Sequence, residues 1–404
     1  MYNLNLAPNV SQKMVEVDFF FFFLEREIIL TDSEIDKFNQ KIAERAYRNK
    51  ELAYYSNLNL LGDKIKQADL EFKIRNSYRK KINRKKAYYN LKGALITKAA
   101  KNEFIANCNF ENIKEKNKIR TGILIRRSNL RGLPVEIVFA SQKDSGDQDL
   151  MQLTALACGT AVLIYHQSKD AKYYYIESKL MSGWVKKDNV ALTDDLESAE
   201  NYLNSDSFLV VTGSRIETEP NPFKPEVSEH LFQMGDQIPL VKENELDDDF
   251  SSEHPHAQSE LGNYLVWIPT KDKNNRLKLE KAIIAYSNDV EEGYLGFSQK
   301  NLISQAFKML GERYDWGGKY KRRDCSRFIM DIFRTFGFEF PRNADLQEKL
   351  IPFEKEIFNG DLEARQMILK RLKPGDILHM PGHIMLYLGE SKGKDYLIHA
   401  ASGY

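Results

Sequence analysis

Cys325 stands where a polar loop, YDWGGKYKRRDC, runs into an apolar-striped segment, a position that suits a nucleophile. The free N–H groups at a helix N-terminus and the positive end of its dipole favour an anion. A thiolate is the nucleophilic form of cysteine, so this position is expected to lower the thiol pKa. A thiol nucleophile also needs a base within hydrogen-bond reach. His383 opens the strand-like run HIMLYLG, and His399 lies near the end of the next run, DYLIHA. The point halfway between them is Ser391. A hairpin turning there would set the two imidazoles across from each other on one face. One ring then serves as base and the other orients it, the nucleophile–base–orienter logic of a triad. His379 is close to His383, but a one-residue change of register would move it to the other face. It ranks below His383 as the base.

Other candidates carry less. Cys108 in FIANCNF and Cys158 in LTALACG have no nearby histidine and read as small core residues. His254 and His256 form a two-ligand HPH signal without a third ligand, which predicts a loop and no metal site.

The elements that would hold these groups are visible as patterns. Leu302, Ile303, Ala306, Phe307 and Leu310 form one helical stripe that Gly311 stops. A second helix is predicted from about Ser326 to Phe336, with Cys325, Phe328, Ile329, Ile332 and Phe336 on one face. Three strand candidates follow: DILHM, HIMLYLG and DYLIHA. Upstream, residues 31 to about 118 read as helical, opening on a capping box from Thr31 to Glu34. The basic run RKKINRKK, Arg79 to Lys86, reads as a solvated helix face rather than a nucleic-acid patch. From Thr121 the pattern becomes short β runs (GILIRR, AVLIYH, KYYYIES, GWVKKDNVAL), as in a small bent barrel. At least one of Tyr173, Tyr174 and Tyr175 must point inward by alternation. A second β block begins near Ser207 with FLVVTGSRI, QMGDQIPLV and NYLVWIPTKD, and the acidic stretch Glu243 to Asp249 inside it is expected to be an exposed loop. The apolar run Phe19 to Leu24 reads as a buried strand or short helix.

Composition narrows the function classes. Of 404 residues, 42% are hydrophobic and 29% charged, which excludes a mainly disordered chain. Fifty-nine basic and 58 acidic residues leave a net charge of +1, so no global field favours nucleic acid. Three cysteines cannot build a disulfide framework. No run approaches the ~18–20 apolar residues of a membrane span. The N-terminal stretch lacks a basic segment followed by an apolar one. As printed it predicts a cytoplasmic chain, and a cell-envelope protein if translation starts upstream.

The quoted motifs resemble one family. YDWGG at Tyr314 to Gly318 with DCS at Asp324 to Ser326, then GDILHM with GHIMLYLG, then LIHA, are similar to the motifs of NlpC-type cell-wall cysteine peptidases, which have a papain-like fold. RTGILIRRSNLRGLP…GWVKKDNVA is similar to the first bacterial SH3-like domain of a multidomain subgroup. FLVVTGSRI…MGDQIPLV…YLVWIP is similar to its second, and LTDSEIDKFNQKI to its N-terminal helical region. The resemblance implies an α+β multidomain chain: a helical region at 1–118, SH3-like β-barrels at 119–204 and 205–292, and a peptidase domain at 293–404.

It implies hydrolysis of murein peptides at the bond between γ-linked D-glutamate and a diamino acid. Cys325 would be the nucleophile, His383 the base and His399 the third polar residue. Asp324 and Ser326 would flank the nucleophile and help bind substrate, and Tyr314 would lie at the oxyanion site. From the residues themselves, Asp324 suits a helix cap and a peptide amine, and the Cys325 N–H suits an oxyanion donor. No metal or cofactor is required. The expected partner is the murein peptide, and the expected state is a monomer. Asp315 and Arg327 stand where the family often has glycine, and the chain ends five residues after His399, where family domains usually add strands. Two expectations follow: a truncated gene product or fragment, or a barrel edge completed otherwise. The alternative function is an inert cell-wall peptide-binding protein that uses its SH3-like domains.

Overall fold

The computed structural model describes residues 10–402 apart from 22–23, 25–26, 49–63, 80, 83–85, 146–147, 243–244 and 246–261. Helix α1 (Asp18–Phe21) carries the start of the phenylalanine run, and Phe20 is buried. Helix α2 (Asp32–Arg48) begins at the expected box, where Thr31 N and Oγ1 donate to Glu34 Oε2 at 2.8 and 2.9 Å. Its apolar face, Ile35, Ile42 and Ala46, shares one core with Phe297, Ile329, Phe333 and Phe338. Asn39 Nδ2 also donates to Gly337 O at 2.8 Å. The first long helix is thus packed on the last third of the chain.

Helices α3 (Gln67–Arg79) and α4 (Lys98–Ala106) go elsewhere. Leu70, Ile74 and Tyr78 share a core with Tyr173, Tyr175 and Trp184. The stretch 31–118, expected to be helical, is not helical throughout. Strands β1 (Lys64–Lys66) and β2 (Lys116–Lys118) pair antiparallel, and Asn90 Oδ1 accepts from Lys92 N and Ala94 N to close a turn at Gly93.

A seven-stranded antiparallel sheet follows: β3 (Arg120–Leu124), β4 (Ser128–Arg131), β5 (Gln152–Leu156), β6 (Ala161–Gln167), β7 (Tyr173–Glu177), β8 (Ser182–Lys186) and β9 (Val190–Thr193). The spatial order is β5-β4-β8-β7-β6-β3-β9, which leaves β5 on an edge. All three tyrosines of β7 are buried, because both faces of the strand are covered. Tyr173 and Tyr175 meet the core shared with α3, while Tyr174 lies in a second core with Ile164 and Val185.

Helix α5 (Leu196–Leu203), capped by Asp195, leads to the second β block. Its strands are β10 (Phe208–Val211), β11 (Arg215–Glu217), β12 (Leu231–Gln233), β13 (Gln237–Pro239), β14 (Tyr264–Lys271), β15 (Leu277–Ile284) and β16 (Val290–Glu292). They form small antiparallel sheets around Leu209, Phe232, Ile238, Val266 and Ile284. Apart from Glu245, the acidic stretch 243–249 lies outside the described residues, as do His254 and His256.

The last block holds α6 (Gln299–Phe307), α7 (Cys325–Arg334), α8 (Ala344–Leu350) and α9 (Leu362–Leu369), then β17 (Ile377–Met380), β18 (His383–Ser391) and β19 (Lys394–Ile398). The order β17-β18-β19 is antiparallel. Helix α6 stops short of Leu310, which is exposed, and Gly311 follows at φ +81°. Helix α7 begins on Cys325 itself, one residue before the expected start. The hairpin turns at Lys392 and Gly393, with φ +53° and +75°, and not around Ser391. Two residues at positive φ between paired strands match the turn that follows the natural strand twist. With helices and antiparallel sheets in several cores, the chain is an α+β multidomain protein. Among the described residues no helix is long and apolar enough to cross a membrane.

Candidate active site

The loop before the nucleophile candidate is shaped from both sides. Asp315 Oδ2 accepts from the N–H groups of Tyr320 and Arg322 at 2.7 and 2.9 Å, closing the loop on itself. This gives the departure from glycine at 315 a structural role. Gly317 and Gly318 sit at φ +62° and +69° against the first sheet. Gln152 Nε2 donates to Gly317 O at 3.1 Å, and Arg127 Nη2 to Gly318 O at 2.5 Å. A Cβ on Gly317 would lie 2.7 Å from Gln152 Cγ, so glycine is needed for the close approach as well as for its dihedral. Lys319 Nζ reaches Asp149 Oδ2 at 2.5 Å, and Arg131 Nη1 reaches the same buried oxygen at 2.7 Å.

The helix that follows is anchored in the same way. Asp324 caps α7, its Oδ1 accepting from Arg327 N at 3.0 Å, while Oδ2 accepts from Gly317 N at 3.1 Å. Arg342 donates to both oxygens of Asp324, and its Nε reaches Thr154 Oγ1 on β5 at 2.8 Å. Burial opposes ionisation of Asp324, but the Arg342 charge and these hydrogen bonds outweigh it and hold the carboxyl below its usual range. Ser326 Oγ donates to Arg342 O at 3.0 Å and accepts from Arg342 Nη1 at 2.7 Å. Arg327, the second departure from glycine, is buried, with Nε on Asp331 Oδ1 at 2.5 Å and Nη1 on Ala155 O at 3.0 Å. The edge strand β5 is therefore covered by the loop before Cys325 and two arginines rather than left open.

Cys325 is 7% exposed and packs where α7 meets the start of β18. Its Sγ hydrogen bond runs to Gly382 O, 4.0 Å away, the residue before His383. Contrary to the expectation from the helix terminus, its pKa is raised. Burial is the main cause and the Asp324 charge adds to it; N–H groups of Ile384 and Ser326 and the charge of Arg342 oppose them without prevailing. The dipole of a helix end is a weak effect beside desolvation of a thiolate. At rest the sulfur carries its proton.

His383 Nε2 lies 2.8 Å from His399 Nδ1, so His383 has Nδ1 left to face other groups. The two rings meet although the turn is not where spacing placed it. Gly389 pairs with Tyr396, but Tyr387 pairs with Leu397, so Leu388 is an extra residue in β18. That bulge continues the ladder with His399 opposite Met385, on the face of His383. A regular ladder would set it opposite Leu386, on the other face. Burial lowers the pKa of both rings, and the His383 charge lowers His399 further, so both are neutral at neutral pH. His379 pairs across with Ile384, off the His383 face, and its Nε2 lies 3.0 Å from Asp345 Oδ1.

Tyr314 is half-buried. Burial raises its pKa most, and the Asp324 charge adds to this, so its hydroxyl stays protonated. Cys108 is fully buried in the core under α3. Cys158 is buried too, but it does have a histidine: His230 Nδ1 from the second β block lies 3.5 Å from its sulfur. Among the described residues no three His, Cys, Asp or Glu side chains are placed to hold a metal ion. Sequence reasoning missed Arg342, Gln152, Arg127 and Thr154, which lie in no chemical motif. Lys81, read as part of a solvated face, is exposed, and its ammonium group lies 5.4 Å from the centroid of the Trp316 ring.

Comparison with known proteins adds to this geometry. Residues 311–403 match the model of the NlpC/P60 family, and residues 138–186 match that of an SH3 domain of the SH3b1 type. Dipeptidyl-peptidase 6 of Lysinibacillus sphaericus is 26% identical over 106 residues, 26% of this chain. The match spans 33% of that relative, about a third of its length. A solved NlpC/P60 endopeptidase from Photobacterium damselae subsp. piscicida aligns at 19% identity over 94% of this chain and 83% of its own, with a TM-score of 0.69. That likeness is one of fold.

Proposed function

The chain carries an NlpC/P60 domain behind an SH3 domain, and from that premise we propose that it is a cysteine peptidase of bacterial cell-wall peptides. The bond we assign is the amide between γ-linked D-glutamate and a diamino acid. One observation carries the reading. Cys325 sits at the tip of α7 against the first residues of β18, the strand whose His383 is hydrogen-bonded to His399 at 2.8 Å.

In this reading His383 Nε2–H donates to His399 Nδ1, which fixes the ring and leaves Nδ1 free to accept. Nδ1 takes the thiol proton as Sγ attacks the amide carbonyl carbon. The resting thiol is neutral, so proton transfer accompanies attack rather than preceding it. The oxyanion accepts from the Cys325 N–H, with the Tyr314 hydroxyl as a second donor. The His383 imidazolium then protonates the amine nitrogen as the C–N bond breaks, leaving a thioester. Water, giving its proton to His383, attacks the thioester carbonyl, and the sulfur leaves and regains a proton. The products are a free γ-carboxylate and a free amine. Asp324 and Ser326 act through Arg342, holding the tip of α7 in place.

Cys325→Ala should lower hydrolysis of L-Ala-γ-D-Glu-diaminopimelate by roughly 10³-fold or more, read by product mass spectrometry. Retained turnover would remove Cys325 from the chemistry.

A further inference from the structure

Lys81 follows α3 and comes from a part of the chain far from the peptidase motifs. The residue as a whole is exposed, yet its ammonium end leans over the Trp316 ring, 5.4 Å from the centroid. Cations favour the face of an indole. The surroundings are otherwise unfavourable to it. Burial lowers its pKa most, the Arg342 guanidinium lowers it further, and only the Asp324 carboxylate pulls the other way. That carboxylate is already spent on Arg342, at 3.0 and 2.6 Å. Asp324 therefore serves both cations, Arg342 has Asp331 as a further anion, and among the described residues no carboxylate forms an ion pair with Lys81. Like charges held together in a partly dry place repel, and an incoming anion would relieve this.

The substrate class assigned above contains such an anion. In a γ-linked glutamate the peptide runs through the side-chain carboxyl, and the α-carboxylate stays free a short methylene arm from the scissile carbonyl. We propose that Lys81 binds this carboxylate and selects substrates that carry it unmodified. The proposal rests on the peptidase reading above. It makes the N-terminal region a donor of substrate specificity and not only a support. A lysine is suited to this task, as a point charge on a long stem that can follow the ligand.

The test compares two peptides, L-Ala-γ-D-Glu-diaminopimelate and the same peptide with the α-carboxylate converted to an amide. The wild type should favour the acid by about 10- to 100-fold in kcat/KM, the range of a charge-assisted contact. In Lys81→Met this ratio should fall close to one, and Lys81→Arg should restore most of it. A ratio that is the same in wild type and Lys81→Met overturns the proposal, even if both variants are slower. Turnover of either peptide that is lost in Cys325→Ala keeps the peptidase reading whatever Lys81 does. Absence of turnover on both peptides overturns that reading and this inference with it.

Discussion

Arg342 grips both carboxylate oxygens of Asp324, at 3.0 and 2.6 Å, one residue before the nucleophile candidate. Both side chains are almost wholly buried. Removing one partner leaves the other charge stranded, which costs about 3–5 kcal/mol in buried pairs. Asp324→Asn should therefore destabilise the fold by about that much at pH 7, measured by urea unfolding. The folded carboxyl titrates below the unfolded one. Its contribution is thus complete above the ordinary aspartate range and is lost as pH falls through the lowered folded value. The gap between wild type and variant should close on acidification. A gap that is below ~1 kcal/mol at neutral pH, or that does not depend on pH, would contradict this account.

The state of the thiol makes a second prediction. Alkylation of Cys325 follows its thiolate fraction, and burial with Asp324 holds that fraction down. In the free protein, iodoacetamide labelling of Cys325 should climb only above the ordinary thiol range. Peptide hydrolysis should instead need His383 neutral. Because burial lowers that ring's pKa, activity should persist to a pH below the usual imidazole range and fall beneath it. Rapid labelling of Cys325 below pH 7, lost in His383→Ala, would show a preformed ion pair and overturn the neutral resting state.

Gly317 tests the docking of the nucleophile loop. Gly317→Ala adds a Cβ 2.7 Å from Gln152 Cγ at a backbone φ of +62°. The loop must back away from β5, and small displacements near reacting groups are costly. Hydrolysis should drop about tenfold or more in kcat/KM while far-UV circular dichroism stays native. Unchanged kinetics would mean that the loop position does not matter to the chemistry.

Gly389 tests the bulge. It sits at φ +123°, where side chains are strained, although the space around its Cβ is open, with Pro374 Cγ at 3.5 Å. Gly389→Ala should cost about 1–3 kcal/mol from backbone strain alone. If the bulge relaxes, the register of β19 changes and kcat falls with it. A variant that loses stability in this range but keeps full kcat would separate the bulge from the His383–His399 pairing.

The three C-terminal strands, the helix opening near Cys325 and part of the strands of both β blocks were legible in the sequence, because each is a local pattern of apolar spacing and turn residues; β4, β5, β12, β15 and β16 were not read as strands. The shared face of His383 and His399 was reached from the wrong turn. Lys392 and Gly393 shift the register, Leu388 shifts it back in parity, and neither effect leaves a mark in hydrophobic spacing. The thiol pKa was misread because burial and the neighbouring carboxylate are properties of packing. Arg342, Gln152 and Lys81 were illegible for the same reason: each meets its partner across a long loop of chain, and nothing in the local sequence names the partner.

The docking of β5 has a consequence for engineering and for descent. Thr154, Ala155 and Gln152 bond Arg342, Arg327 and Gly317, and so hold the loop and helix around Cys325, which belong to a different block. A transplant of the C-terminal block alone would sever these attachments together with those of Arg127 to Gly318 O and of Lys319 to Asp149. A working chimera would have to move residues 127 and 149–156 together with 314–342 as one part, even though the chain itself separates them.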